Sequence, residues 1–220
     1  MPSITVENYL KQLYIEQQAD PDALVPMGRL AGTMGVVPGT ATAMVKALAE
    51  AGLVDYEPRN GARLTPRGRD LALRVLRRHR LVELFLVKVL GLDWSEVHEE
   101  AEKLEHMISD KVLDRIDKLL GSPTVDPHGD PIPNARGDIE HPDLPTLADC
   151  PSGCPLRIAR ILDQEPAFLQ FVERQGLRPG TGIEVQQRDT AADAVTVRNE
   201  QNRNITLGSA AAAKILVEEA

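Results

Sequence analysis

The chain changes its hydrophobic period once, and that change bounds every fold it can adopt. Up to about Leu120 the apolar residues recur mostly at helical spacing, whereas beyond Ser152 short runs such as Ile183-Glu184-Val185 and Ala194-Val195-Thr196-Val197 read as strands. Between them Pro123, Pro127, Pro131, Pro133, Pro142, Pro145 and Pro151 crowd a stretch that cannot be regular structure, so Ser122–Ser152 reads as a connecting segment. At 220 residues the chain has room for one large domain or two to three small ones.

Composition narrows the function classes. Aromatic residues make up 3%, with Trp94 the one tryptophan, which argues against base or sugar recognition on aromatic platforms. No apolar run reaches the ~18 residues of a membrane span. The start, Met1-Pro2-Ser3-Ile4-Thr5-Val6-Glu7, lacks a basic segment followed by an apolar one and does not read as a secretory signal. Cys150 and Cys154 are too few for a disulfide framework and read as free thiols. The expectation is a soluble, cytoplasmic protein. The net charge of −8 is unevenly spread. From Tyr56 to Arg80 the only acids are Glu57 and Asp70, against eight arginines that include Arg59, Arg63, Arg67 and Arg69; from Asp93 to Lys118 acids dominate. A basic segment beside an acidic one suits a polyanion contact and a separate cation-binding region.

The amino-terminal third divides into recognisable pieces. Val6, Tyr9, Leu10, Leu13 and Tyr14 mark an amphipathic helix over 6–17, ended by Asp20-Pro21. A short helix follows from Met27 to Met34, then a turn at Val36-Val37-Pro38-Gly39 and a third helix from about Gly39 to Ala51. Its core face is expected to be Ala43, Met44, Ala47, Leu48 and Ala51, leaving Thr40, Ala41, Thr42, Val45 and Lys46 on other faces. Asn60-Gly61 between two β-type runs predicts a hairpin turn, and Thr65-Pro66 opens a long helix to Leu90. This order is that of a winged helix-turn-helix, with arginines where a wing would meet phosphates. Two further helices are expected over 94–106 and 109–120, broken around Ser109. Leu81, Val82, Leu84, Phe85, Val89, Leu104 and Ile108 offer more apolar surface than a thin helical layer buries, which points to a dimer interface.

Chemistry concentrates in one place. His79 and Glu83, His98 and Glu102, and Glu102 and His106 are each four residues apart, with Glu105 beside the last pair. On a helix such residues lie ~5 Å apart on one face and can chelate one divalent ion. Each pair alone also suits a solvated acidic face, so the residues by themselves leave metal binding and a charged surface both open. No nucleophile–base pair, GxSxG or phosphate-binding loop is present.

Arg78-His79-Arg80-Leu81-Val82-Glu83, the stretch from Asp93-Trp94-Ser95 through His98, Glu102, Glu105 and His106 to Asp110, and Asp126-Pro127-His128-Gly129-Asp130-Pro131-Ile132-Pro133 closely resemble the diphtheria toxin repressor family of bacterial metal-dependent regulators. The resemblance extends over the whole chain. It implies a mainly α protein with a winged helix-turn-helix DNA-binding domain (1–73), a helical metal-binding and dimerisation domain (74–140), a Pro-rich linker (141–152) and a small SH3-like, FeoA-type β-barrel (153–220). It implies a homodimer that binds a palindromic operator when loaded with metal and represses metal-uptake genes, with two metal sites per subunit. The ancillary site would use His79, Glu83 and His98; of the two positions where the SH3-like domain adds ligands, Arg160 cannot ligate and Asp163 can. The primary site would use Glu102, Glu105, His106 and Asn8, joining the first helix to the 102–106 segment. All these donors are oxygen or imidazole nitrogen, which favours Mn(II), with Fe(II) the alternative. Family manganese sensors carry an acid at the Lys11 position, where a lysine cannot ligate. Pro38, Gly39, Thr40, Thr42 and Lys46 fall on the groove-facing surface of the third helix, with Arg59 and Arg63 on the wing. Arg80, an anion-binding residue in the family, would here pair with Asp126 and Asp130, and His128 is expected to be a turn residue in preference to a ligand, the other role open to it. An assembly module would lack salt-dependent DNA binding; a metallohydrolase would need a substrate pocket that the sequence does not indicate.

Overall fold

The computed structural model describes residues 3–18, 20–150 and 152–220; Met1, Pro2, Ala19 and Pro151 lie outside the described residues, and with them part of the amino-terminal reading and one of the connecting prolines. The chain forms two compact units, Met1–His79 with Pro133–Asp138, and Arg80–Ile132 with Ile139–Ala220.

In the first unit α1 spans Ile4–Glu16, capped by the Ser3 hydroxyl, which accepts from Val6 N, and it buries Tyr9, Leu10, Leu13 and Tyr14. It ends at Gln17, whose side-chain amide donates to the Pro21 and Ala23 carbonyls and accepts from Leu64 N, tying the helix end to the hairpin. The helices α2 (Met27–Thr33) and α3 (Pro38–Glu50) follow, with Gly35 at φ 64 between them. The buried face of α3 is Ala41, Val45 and Leu48 rather than the expected Ala43, Met44, Ala47, Leu48 and Ala51. Both sets have helical spacing, and a helix rich in alanine all round gives periodicity too little contrast to choose; bulky Val45 and Leu48 are what the core selects.

The hairpin forms from β1 (Val54–Glu57) and β2 (Gly61–Leu64), but Glu57 pairs with Gly61, so the loop is Pro58-Arg59-Asn60 and not a two-residue Asn-Gly turn. Arg59 takes the positive φ of 73 at the tip. Gly61 serves close approach instead: Val25 bridges to Ala62, and a Cβ on Gly61 would lie 2.5 Å from the Val25 carbonyl oxygen. The long helix α4 runs Pro66–Lys88, with Thr65 Oγ1 accepting from Gly68 N at its start.

In the second unit the carboxy-terminal half of α4 packs with α5 (Val97–Leu104) and α6 (Asp110–Leu119), and Ser109 caps α6 through Val112 N. Leu81, Val82 and Leu84, expected at a dimer interface, are consumed by this unit's own cores. Among the described residues of this unit, Val89, Leu90, Leu104, Met107, Val112, Leu119, Val125 and Leu162 are large apolar side chains left exposed, with Met107 at 77%.

Five antiparallel strands complete the unit, β3 (Pro155–Ile161), β4 (Gly182–Asp189), β5 (Ala194–Asn199), β6 (Asn204–Gly208) and β7 (Ile215–Glu219), with α7 (Pro166–Arg174) and α8 (Ser209–Ala212). Their order is β6-β5-β4-β3-β7, so β6 and β7 are separate edges and the sheet is open, not the closed barrel expected. With 40% helix and 20% strand, "mainly α" holds only in part.

The proline-rich stretch has no helix or strand among its described residues, as expected, yet it is not a spacer. Leu147 is fully buried in the core of the sheet, Leu147 N donates to Ile215 O, and Val217 N donates to Pro145 O. Prolines exclude the segment from a ladder without excluding it from a core. Trp94 belongs to the same core, bonded through its indole N–H to Glu173 of α7 at 2.7 Å.

Candidate metal centre

His79 and Glu83 lie one turn apart on the unbroken α4, and they are 5% and 1% exposed. A carboxylate buried that deeply is costly unless another group compensates it. From α5, His98 places Nδ1 3.2 Å from Glu83 Oε1 and Nε2 3.7 Å from Glu102 Oε1. The His98 side chain is 55% exposed, so this pair of carboxylates is reachable from solution. Clefts of about 630 and 520 Å³ both border it, the first lined by Asp93, Glu96, Glu99, Glu100 and Glu165 among others, an acidic approach that favours cations.

Behind Glu83 the fold assembles a group that sequence reasoning missed. Glu83, Asp126 and His128 are all buried, and they offer ligand atoms that lie within 4.8 Å of one another. His128 Nε2 is 2.8 Å from the Trp94 carbonyl oxygen. That oxygen only accepts, so Nε2 carries a proton, and in the neutral ring Nδ1 is the atom with the lone pair. Nδ1 is buried with no hydrogen-bond partner, 4.0 Å from Asp126 Oδ1. Burial pushes the Asp126 carboxyl well above its usual range, the charges of Asp130 and Glu83 push it further, and the Arg80 guanidinium opposes them. Arg80 Nε stands 3.7 Å from Asp126 and its Nη2 3.7 Å from Asp130, the pairing expected from the sequence. A buried imidazole lone pair between two carboxylates is a donor set for a divalent ion. The signal was present in Asp126-Pro127-His128-Gly129-Asp130, but a turn histidine alone does not declare its direction.

Glu102, Glu105 and His106 were expected on one helix to residue 106, but α5 stops at Leu104 and Glu105 is its C-cap. In the turn beyond, His106 Nε2 comes within 3.1 Å of Glu105 Oε1, with both side chains buried. Glu105 keeps helical dihedrals (φ −56, ψ −34), and the two neighbouring side chains meet at the helix end. Glu102 is half-buried beside His98. On α1, Asn8 Oδ1 is buried and has no hydrogen-bond partner, an acceptor without a donor. Asp163 follows β3, where burial raises its carboxyl but the Lys214 ammonium at 2.6 Å and the Glu165 N–H overcome that and leave it below the ordinary range. It shares the smaller cleft with His98. Arg160 is ion-paired to Asp130.

The nucleic-acid residues expected from sequence sit on the first unit. Pro38, Gly39 and Thr40 form the exposed first turn of α3, and Lys46 is exposed further along. Thr42, half-buried, donates its hydroxyl to Pro38 O at 2.7 Å. Arg59 is exposed at the hairpin tip, while Arg63 pairs with Asp55 across the strands at 3.3 Å.

Comparison with known proteins gives three consecutive matches: an iron-dependent repressor N-terminal DNA-binding domain over 1–62, an iron-dependent repressor metal-binding and dimerisation domain over 65–134, and a FeoA domain over 146–219. The chain is 33% identical to the diphtheria toxin repressor of Corynebacterium efficiens over 193 residues, covering 82% of each. It is 29% identical to the iron-dependent repressor IdeR of Mycobacterium tuberculosis over 228 residues, 98% of this chain and 97% of that one. Among solved structures, a manganese-dependent transcriptional repressor in complex with manganese shares 40% identity at a TM-score of 0.86, over 98% of this chain and all of that one. ScaR with bound Cd2+ shares 33% identity at a TM-score of 0.76, over 100% of both chains.

Proposed function

The chain belongs to the diphtheria toxin repressor family of metal-dependent transcriptional repressors, and on that premise we propose that manganese is the ion it answers to. It is a DNA-binding repressor and not an enzyme, and its partner classes are DNA, divalent metal and a second copy of itself.

The observation that carries the manganese reading is the donor chemistry. The grouped side chains present carboxylate and imidazole nitrogen and no thiolate; Cys150 is instead in the core of the sheet, its thiol donating to the Leu147 carbonyl oxygen. Hard donors suit Mn(II), whereas softer ligands shift preference toward later metals. The likeness to a repressor solved with manganese supports the same reading. One ion would be held by Asn8, Glu102, Glu105 and His106, and a second by Glu83 with His79 and His98 and, on the buried side, Asp126 and His128. Asp163 becomes available to it if Lys214 releases the carboxylate. The orphaned Asn8 Oδ1 and His128 Nδ1 fit these roles, since each is a buried acceptor left unpaired. A bound divalent ion supplies the charge around which the carboxylates converge. Ligands drawn from α1 and from the end of α5 would make occupancy restrict how α3 is presented, and so select the half-site spacing of a palindromic operator controlling metal uptake. Val89, Leu104, Met107 and Leu119 would supply apolar surface to the dimer. Arg59, Arg63 and Lys46 would meet phosphates while Pro38, Gly39, Thr40 and Thr42 face the groove.

The test is operator DNA binding, followed by fluorescence anisotropy, with anaerobic titration of Mn(II) and Fe(II) into wild type and Glu102→Cys. DNA binding at lower free Mn(II) than Fe(II), with the preference moving toward Fe(II) in the variant, is expected. A response to Fe(II) alone would establish the iron reading, which the name of the mycobacterial relative favours. Tight specific binding by the metal-free protein would sink the switch itself.

A further inference from the structure

The strand that clasps the metal loop contributes no ligand to it, and we infer that β3 is a positioning element for the ancillary centre, with Arg160 as its anchoring residue. The inference rests on the reading of Glu83, Asp126 and His128 as a metal group and adds what holds that group in place.

Three consecutive residues of β3 meet three consecutive residues of the loop. The register of β3 against β7 shifts between Ile158 and Arg160, a bulge centred on Ala159 that bends the strand out of its ladder. Gly129, at φ +88, packs against the Ala159 carbonyl so closely that a Cβ would lie 2.0 Å from the oxygen. Ile161 N donates to His128 O at 2.9 Å. The Arg160 guanidinium ion-pairs with Asp130, whose other carboxylate oxygen accepts from the Gln164 amide. Asp130 N and His128 N in turn both donate to Asp126 Oδ1, at 2.9 and 2.8 Å.

His128 is therefore fixed at three points: its carbonyl on Ile161, its N–H on Asp126 and its Nε2 on Trp94. The one polar atom left over is Nδ1, the atom that faces Asp126. Such outer contacts set the tautomer and direction of a histidine ligand, and losing one typically costs ~10–100-fold in metal affinity. Arg160 is suited to the anchoring because its planar guanidinium presents several N–H donors to the Asp130 carboxylate and has no lone pair to offer a metal. A cation at this position, unable to ligate, fixes the loop instead of completing the coordination shell.

Trp94 gives the experiment its signal. It is the only tryptophan, and its ring stacks on His128 with centroids 5.4 Å apart. Full-length protein is titrated with MnCl2, following Trp94 fluorescence and total bound metal by equilibrium dialysis, in wild type, His128→Ala, Arg160→Met, Arg160→Lys and Gln164→Leu. The expected result is loss of one bound ion and of the fluorescence change in His128→Ala. In Arg160→Met the affinity of that same ion falls 10–100-fold while the other ion is unaffected, and Arg160→Lys recovers part of the loss. Gln164→Leu, which removes another β3-side partner of Asp130 and leaves Arg80 in place, shifts the same ion in the same direction and serves if Arg160→Met does not fold. Wild-type metal binding in His128→Ala would overturn the metal group itself. Loss in His128→Ala with wild-type affinities in Arg160→Met and Gln164→Leu would leave the group standing and overturn the role of β3. Equal weakening of both ions would reduce Arg160 to a general structural contact and overturn it as well.

Discussion

Replacing Asn8 with leucine should make the metal-free protein more stable and the metal-loaded protein less so. The opposite signs follow from one atom. Asn8 Oδ1 is buried and has no hydrogen-bond partner, so the metal-free fold carries the desolvation of an amide oxygen with nothing to offset it. Such an orphan costs about 1–3 kcal/mol, and leucine has nearly the shape of asparagine without the polar atom. Taking the lower end, with about 2–4 °C per kcal/mol for a chain of this length, metal-free Asn8→Leu should melt about 3 °C above wild type. Metal reverses the order. An ion present at about 100 times its Kd stabilises the native state by about 2.7 kcal/mol, an increment the variant forfeits at this site when its amide ligand is gone. The assay is thermal unfolding by circular dichroism, with chelator and then with graded MnCl2. Wild type should rise more steeply with metal than the variant, and the two curves should cross. A variant that melts below wild type in chelator, yet gains as much from Mn(II), would show that Oδ1 is neither strained without metal nor used with it.

Three further outcomes follow. The folded Asp126 carboxyl is raised, chiefly by burial, so its contribution is full when protonated, below the unfolded value of about 4, and is lost as pH climbs toward the folded one. Metal-free Asp126→Asn should therefore gain on wild type in urea midpoint between pH 4 and pH 8, and a difference that does not vary with pH would contradict the assigned burial. Leu147→Ala should cost about 2–5 kcal/mol in urea unfolding followed by Trp94 fluorescence, because Leu147 is fully buried in the core that contains Trp94; a loss within about 0.5 kcal/mol would return residues 141–152 to the status of a spacer. If the hairpin tip meets a phosphate, Arg59→Ala should lower the salt slope of operator binding by about 1. Arg63→Ala should lower it less, since that guanidinium already faces Asp55, and an equal effect of the two would show that the pair opens on DNA.

Much of the architecture was legible because it depends on local chemistry. Proline at a first turn, glycine at a stop, serine or threonine at a cap and helical spacing of leucines placed α1 to α4 and α6 within a few residues. The failures have a common cause. For α3 the core face was misassigned because alanine contrasts weakly with its neighbours, and the hairpin loop was placed one step late because Asn60-Gly61 has a turn signature while Gly61 is used for contact with Val25. The sheet looked like a barrel because alternation shows which residues face inward and says nothing about whether the edges β6 and β7 meet.

The candidate metal residues divide along the same line. His79, Glu83, His98 and Glu102 lie on helices, and their one-turn spacing is written in the order of residues. The meeting of Glu105 with His106 at the end of α5 and the presence of Asp126 and His128 beside Glu83 depend on how side chains and a distant loop are packed, which residue spacing does not state. By itself, then, the sequence determined most of the helices, the family and the hard character of the candidate donors, since each of these is a property of residue type and near-neighbour spacing. Only the tertiary structure decided which acceptors are buried and unpaired, that β3 packs against the 126–130 loop, and that a proline-rich segment belongs to a core. Burial and orphaned polar atoms depend on groups distant in the chain, and no local spacing encodes them.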